Sequence, residues 1–224
     1  MNFSDSTDLK KGLSTFLNPY SFYMLNDKKE LLSNFDRIYC DGIIFVILVR
    51  LIGIKVNRVS FDMTSLAPIV FSEAEEKGLS LAFIGGEEGV AEKAIGNFKQ
   101  RYPHLNVCFS HSGFFCNTEK RTEVLKTIAK VNPDIVIVGM GAVLQEQLLV
   151  DLAKEGWSGY GYTCGGFLHQ SESKIGDYYP KYINRLNLRW AYRIFKEPKL
   201  AKRYFIVYPK SVLLFMKKAC FNKI

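Results

Sequence analysis

The sequence predicts an α/β protein with a Rossmann-like, mostly parallel sheet and helices on both faces. Three segments carry that prediction: LSLAFIGG (79–86), DIVIVGMG (134–141) and GYGYTCGG (159–166) are short apolar runs that close on glycine. Runs of that length read as strands buried on both sides, as in parallel sheets. Two of them lead into stretches of helical period, EEGVAEKAIGNFKQRY and AVLQEQLLVDLAKEG. The first helix should stop near Tyr102, ahead of Pro103, and the second near Gly156. Strand, glycine turn and helix in repetition give a sheet covered on both faces.

In such a sheet ligands collect at the carboxyl ends of the strands, where these glycines fall. Gly85 and Gly86, Gly139 and Gly141, and Gly165 and Gly166 would let phosphates approach backbone amides with no Cβ in the way. Taken singly, each pair is equally well read as a tight turn. Glu87 and Glu88 argue against phosphate at the first turn, because acids at a helix start would repel it. The sequence has no G-x-G-x-x-G and no Walker pattern, so neither a dinucleotide nor ATP is expected as a cofactor.

The net charge of +8 on 224 residues looks like a nucleic-acid signature until it is divided along the chain. Residues 181–224 hold twelve Lys and Arg against one acid, Glu197, which leaves the first 180 residues slightly acidic. The expected organisation is therefore an α/β core, 1–180, and a basic amphipathic appendage, 181–224. In the appendage Arg185, Arg189 and Arg193 recur every four residues, as on one helical face, with Leu186, Trp190 and Ile194 on an apolar side. After Pro198, Tyr204, Phe205, Tyr208, Phe215 and Phe221 interleave with Lys202, Arg203, Lys210, Lys217 and Lys218. That mixture describes a segment lying on anionic lipid. The alternative is a core-packed helix with a solvated basic face. Nucleic acid is not the expected partner, since the body offers no groove of matching charge.

Five cysteines, an odd number with no C-x-x-C, signal neither a disulfide framework nor zinc, and the three histidines lack ligand spacing. No metal is expected. The longest uncharged apolar run, 42–49, is too short to span a bilayer, and the N-terminus lacks a signal-peptide core. The chain is expected in the cytoplasm.

That apolar run raises the sharpest question. In FDRIYCDGIIFVILVR the acid Asp41 stands at its mouth. Asp41 could simply cap a turn with Gly42. A carboxylate partly desolvated by apolar neighbours would also have a raised pKa and be a better base.

Taken in order, LNPYSF, CDGIIFVILVRLIG, RVSFDM, AFIGGEEGVAEKA, YPHLNVCFSHSGFF, DIVIVGMG with Gln145-Glu146, CGG and RWAYRIFKEPKLAKRY resemble the WecG/TagA/CpsF glycosyltransferases, family 26, from about residue 18 to residue 204. The resemblance implies a Rossmann-like core and an appendage that meets the membrane. It implies transfer of an N-acetylmannosamine-type or other hexose from a UDP donor to a polyprenyl-diphosphate-linked saccharide, with inversion and without a metal, in cell-surface polysaccharide synthesis such as capsule or teichoic acid. The implied base is Asp41. Arg193 and Arg203 match diphosphate-binding arginines, a third such position being Leu200. Gln145 and Glu146 match donor or acceptor contacts, and Asn18 and Asp62 match further site positions. The enzyme would sit on the inner face of the cell membrane, and a homo-oligomer is left open.

Departures from the family pattern gather near the site. Val143-Leu144 stands for Pro-Lys, His169 for an acid, Tyr178-Tyr179-Pro180 for Arg-Ala-Pro, and Leu188-Arg189-Trp190 for Leu-Glu-Trp; Phe16 replaces a threonine, with Thr15 beside it. Either donor specificity has changed, or the chain is a catalytically silent scaffold that binds UDP-sugar or lipid for another transferase.

Overall fold

In the computed structural model, residues 3–172, 180–186 and 188–221 are described. The elements follow in order as β1 (Gly12–Leu17), α1 (Pro19–Leu25), α2 (Lys29–Leu32), β2 (Arg37–Cys40), α3 (Ile43–Leu51), α4 (Leu66–Lys77), β3 (Ser80–Gly85), α5 (Val90–Arg101), β4 (Asn106–His111), α6 (Thr118–Val131), β5 (Ile135–Gly139), α7 (Leu144–Lys154), β6 (Tyr160–Thr163), α8 (Phe167–Glu172), α9 (Lys181–Arg185), α10 (Arg189–Lys196) and α11 (Tyr208–Cys220). Between α10 and α11 lie a 3-10 turn, Pro198–Leu200, and a π-helical turn, Arg203–Val207.

Six strands form one sheet, in the order β2-β1-β6-β5-β3-β4, and every pairing is parallel. Alternation along the strands sorts their side chains into two cores. Ala82, Ile84, Val136 and Val138 face one, with residues of α3, α6, α7 and α11. Leu81, Phe83, Ile135 and Ile137 face the other, with residues of α4, α5 and α8. A strand buried on both faces needs apolar residues at every position, which is why these segments show no polar alternation.

The apolar run after Asp41 is a helix. Gly42 adopts φ +85, a left-handed value that turns the chain sharply out of β2, and its carbonyl accepts from Val46 N at 3.2 Å to begin α3. Phe45, Val46, Leu48 and Val49 are buried while Ile44 and Ile47 are exposed.

The arginine series of the appendage is not one helical face. The chain breaks between α9 and α10, so Arg185 belongs to one helix and Arg189 and Arg193 to the next. The appendage also inserts into the core. Phe215 of α11 is fully buried against Phe22 and Phe45, with ring centroids 5.4 and 5.8 Å away. Among the described residues no helix is long and apolar enough to cross a membrane.

Candidate active site

The carboxyl ends of the four neighbouring strands β2, β1, β6 and β5 open into one cleft of about 330 Å³, roofed by α10, the π-helical turn and the start of α11. Asp41, Asn18, Asp62, Gly141, Gln145, Gly165, Gly166, Arg193 and Arg203 all line it, although they come from segments scattered over most of the chain.

Asp41 sits at the end of β2, its amide donating to Leu17 O at 2.8 Å. Burial is the largest influence on its carboxyl and raises its pKa; the charge of Asp62 adds to this, while Arg58, Arg189 and a hydrogen bond from Asn18 oppose it. Arg58 is brought alongside by a short parallel bridge between its own residue and Cys40. The side chain is desolvated yet faces the cleft, which is what a general base requires.

Asn18 caps α1: its Oδ1 accepts from Tyr20 N at 3.0 Å and Ser21 N at 3.1 Å. The same oxygen accepts from Arg203 Nη2 at 3.1 Å, so the cap also anchors a cleft arginine. The Arg203 guanidinium lies over the Tyr20 ring, 4.1 Å from its centroid, and its buried Nε has no hydrogen-bond partner among the described residues. A π-helical turn starts at Arg203; such turns recur at functional sites. Arg193 pairs with Glu197 at 3.6 Å and reaches toward Gly166.

Asp62 is a hub of ion pairs. Its Oδ2 accepts from Arg189 Nη1 at 2.9 Å and Ser60 Oγ at 2.7 Å and lies 3.5 Å from Arg58 Nη2, while its Oδ1 accepts from Thr64 N at 2.8 Å. Burial is again the largest single influence and would raise the pKa, but Arg189, the Thr64 and Ser60 hydroxyls and Arg58 together outweigh it and lower it. The pKa values of two neighbouring carboxylates are thus pushed in opposite directions, that of Asp62 down and that of Asp41 up.

Four expected contacts do not line the cleft. Gly85 and Gly86 end β3, one strand beyond the cleft; a Cβ on Gly85 would meet Gly139 O at 2.3 Å, and one on Gly86 would meet the Val90 side chain. Gly139 is in turn packed against Gly165 O and Cys164 Sγ, at 2.7 and 2.8 Å from where its Cβ would be. These glycines permit close approach of backbones. Glu146 has no exposed surface and lies beneath Gln145.

Of the departures, Val143 takes φ +77 and Leu144 is exposed at the mouth of α7. His169 is exposed and pairs through Nδ1 with Glu172 Oε1 at 2.8 Å, outside the cleft lining, so it does not stand in for a cleft acid. Phe16 faces the cleft and stacks on Tyr39, with centroids 5.0 Å apart, whereas Thr15 points to the interior. Tyr178 and Tyr179 lie outside the described residues. Sequence reasoning did not single out Arg58 or Tyr208 as cleft residues, and near the site it met Arg189 only as the departure from Leu-Glu-Trp. Arg58 had a signal, since it begins the RVSFDM motif, and Arg189 had one as a departure from the family pattern; Tyr208 read as a member of a general basic and aromatic tail.

A parallel α/β sheet carries its ligand cleft at the carboxyl ends of its strands, and the arginines and desolvated acid in this one are the side-chain types that suit an anionic ligand and proton transfer. The sequence matches the family model for the glycosyl transferase WecG/TagA/CpsF family over residues 4–224. It is 35% identical over 208 residues, 92% of this chain and 86% of the relative, to the UDP-Gal:alpha-D-GlcNAc-diphosphoundecaprenol beta-1,4-galactosyltransferase of Shigella boydii. It is 26% identical over 212 residues, 92% of this chain and 79% of the relative, to the N-acetylglucosaminyldiphosphoundecaprenol N-acetyl-beta-D-mannosaminyltransferase of Bacillus subtilis (strain 168). A Staphylococcus aureus (strain MW2) protein named for that same mannosaminyl transfer is 30% identical over 135 residues, 60% of this chain and 50% of the relative. The chain belongs to the WecG/TagA/CpsF glycosyltransferase family.

Proposed function

We propose that this enzyme transfers a hexose from a UDP donor to a polyprenyl-diphosphate-linked saccharide, by direct inversion and without a metal. The carrying observation is that Asp41, a desolvated acid, shares one cleft with Arg193 and Arg203. An acceptor hydroxyl is a poor nucleophile. Asp41 takes its proton as the oxygen attacks the anomeric carbon, and the bond to the nucleoside diphosphate breaks on the opposite face. Arg193 and Arg203 meet the charge that develops on the departing diphosphate, a role suited to planar guanidinium donors. Gly141, Gly165, Gly166 and Gln145 seat the donor.

The names of the relatives support a lipid-diphosphate acceptor, and the likeness to a galactosyltransferase makes UDP-galactose the first donor to test. An acceptor held in a bilayer requires the enzyme to work at its surface. The segment around the cleft roof suits that: Phe195, Phe205 and Leu213 are 79%, 67% and 72% exposed among lysines and arginines. We place the enzyme peripherally on the inner face of the membrane, docked through residues 181–224.

The test is UDP release with UDP-galactose and a synthetic lipid-diphosphate-linked GlcNAc acceptor. Release should require both substrates and collapse in Asp41→Asn. Tight UDP binding with no turnover over a broad donor panel would instead identify a silent scaffold.

A further inference from the structure

The carboxylate of Glu146 is fully buried and does not line the cleft, yet it accepts three hydrogen bonds. Its Oε1 accepts from Thr15 Oγ1 at 2.9 Å and from Gln145 Nε2 at 3.0 Å, and its Oε2 accepts from Val143 N at 2.7 Å. Thr163 Oγ1 donates in turn to Thr15 Oγ1 at 3.1 Å. Gln145 Oε1 accepts from Gly165 N at 3.0 Å. Because a backbone amide can only donate, that contact fixes which end of the Gln145 amide is oxygen, and its NH2 must then face Glu146. The network therefore has one consistent direction, with all donors converging on the carboxylate.

Three things are tied by this group. Val143 holds φ +77, a costly value for a β-branched residue, at the turn from β5 to α7. Gly165 begins the turn after β6, and Thr15 belongs to β1. We propose that Glu146 is a positioning residue for the donor seat: its buried carboxylate fixes the Val143 turn and aims Gln145 so that the Gly141 and Gly165 turns present a preformed site to the donor diphosphate. The inference rests on the reading of that side of the cleft as the donor seat.

Glutamine at position 146 has nearly the same shape but cannot accept from all three donors. With its NH2 toward Val143 two donors face each other, and with its oxygen there the NH2 faces the Gln145 NH2. If Gln145 flips to relieve this, Gly165 N loses its acceptor. Either arrangement breaks the link between the two turns.

The test measures Glu146→Gln and Thr15→Val in the full chain, with melting temperature, calorimetric UDP binding, and kinetics in donor and acceptor separately. Glu146→Gln should weaken UDP binding and raise the donor KM about tenfold or more, leave the acceptor KM within about twofold, and keep a folded circular dichroism spectrum. Thr15→Val, which removes one of three donors, should shift the donor KM in the same direction by less. A lower melting temperature with unchanged UDP binding and unchanged donor KM in both variants would overturn the positioning role. Should Glu146→Gln fail to fold, the outcome for Thr15→Val decides alone. Failure of wild type to bind UDP at all would overturn the donor-seat reading itself, an outcome distinct from wild-type binding that Glu146→Gln leaves intact.

Discussion

Arg189 Nη1 donates to Asp62 Oδ2 at 2.9 Å, joining residues 127 positions apart and fastening α10 to the loop between α3 and α4. Arg189 also donates to Thr64 Oγ1. The pair is mostly shielded from solvent, with side-chain exposures of 18% and 17%, so salt screens it weakly. It does two jobs at once: it closes the cleft roof and it places positive charge near Asp41, whose carboxyl it helps to ionise. Arg189→Leu should therefore lower stability by about 1–3 kcal/mol, the range for losing a charged hydrogen bond and leaving its partner under-compensated. It should also move the acid limb of activity to higher pH, a shift that loss of folding alone would not produce.

The pH dependence of wild type follows from the direction of the Asp41 shift. A base must be ionised to work, and burial raises the pH at which this one ionises. Turnover at saturating substrates should rise along a limb displaced above the ordinary carboxylate range, and Asp41→Asn should lose about 10²–10⁴ of kcat together with that limb. UDP binding, measured by calorimetry, should survive the substitution.

The same group predicts a stability effect of opposite sign to its catalytic one. A carboxyl whose folded pKa is raised favours folding below its unfolded pKa, about 3.9. That contribution is lost as pH rises through the folded value, because folding then buries a charge. Asp41→Asn should melt above wild type wherever the folded wild type carries an ionised Asp41, and the gap should close as pH falls from the raised folded value toward about 3.9. A gap that stays constant down to about pH 3.9 would show that Asp41 is not the desolvated acid described above.

Much of this fold could be read from the residues, for a reason visible in β3, β5 and β6. They occupy the inner part of the sheet beneath helices, so their runs are mostly apolar and close on glycine, with polar residues only at the ends, Ser80 and Thr163. The strand β1 escapes such reading because Ser14 and Thr15 interrupt it; both are fully buried, Thr15 serving the Glu146 network and Ser14 accepting from Arg37 at 3.0 Å. The edge strand β4 has exposed and half-buried residues mixed without period. At the site, Asp41 is legible from its setting within one motif. The ion pairs around Asp62 are not, since Arg189 reaches it from a helix whose boundaries depend on a break that spacing alone did not reveal. Glu146 shows the complementary failure: a polar pair at a helix start looks like two ligand contacts, and only the packing separates Gln145 in the cleft from its neighbour beneath it.

The proposed membrane docking should be separable from catalysis. On α11, Ser211 and Phe215 face the core, which puts Leu213 on the outer side near Lys210 and Lys217. Phe205→Ser with Leu213→Ser should sharply reduce co-sedimentation with anionic vesicles, and the remaining binding should fall further with added salt. Turnover of a short-chain, water-soluble acceptor should stay within about twofold, because neither side chain lines the cleft.

The buried end of that helix makes the last prediction. Phe215 has no exposed surface and is enclosed by Phe22 and Phe45, so Phe215→Ala should cost about 3–5 kcal/mol through lost burial and the cavity left behind. The effect should not stop at stability. The π-helical turn that begins at Arg203 runs directly into α11, and Arg203 is held by Asn18 and Tyr20 of the opposite wall. Loosening α11 frees one end of that turn, so the guanidinium no longer meets the diphosphate from a fixed position. Donor KM should rise in Phe215→Ala even well below its melting temperature, while Phe215→Leu, which refills most of the space, should restore both stability and donor KM in large part. Stability loss with an unaltered donor KM would show that Arg203 is positioned by Asn18 and Tyr20 alone, and that α11 contributes only its share of the core.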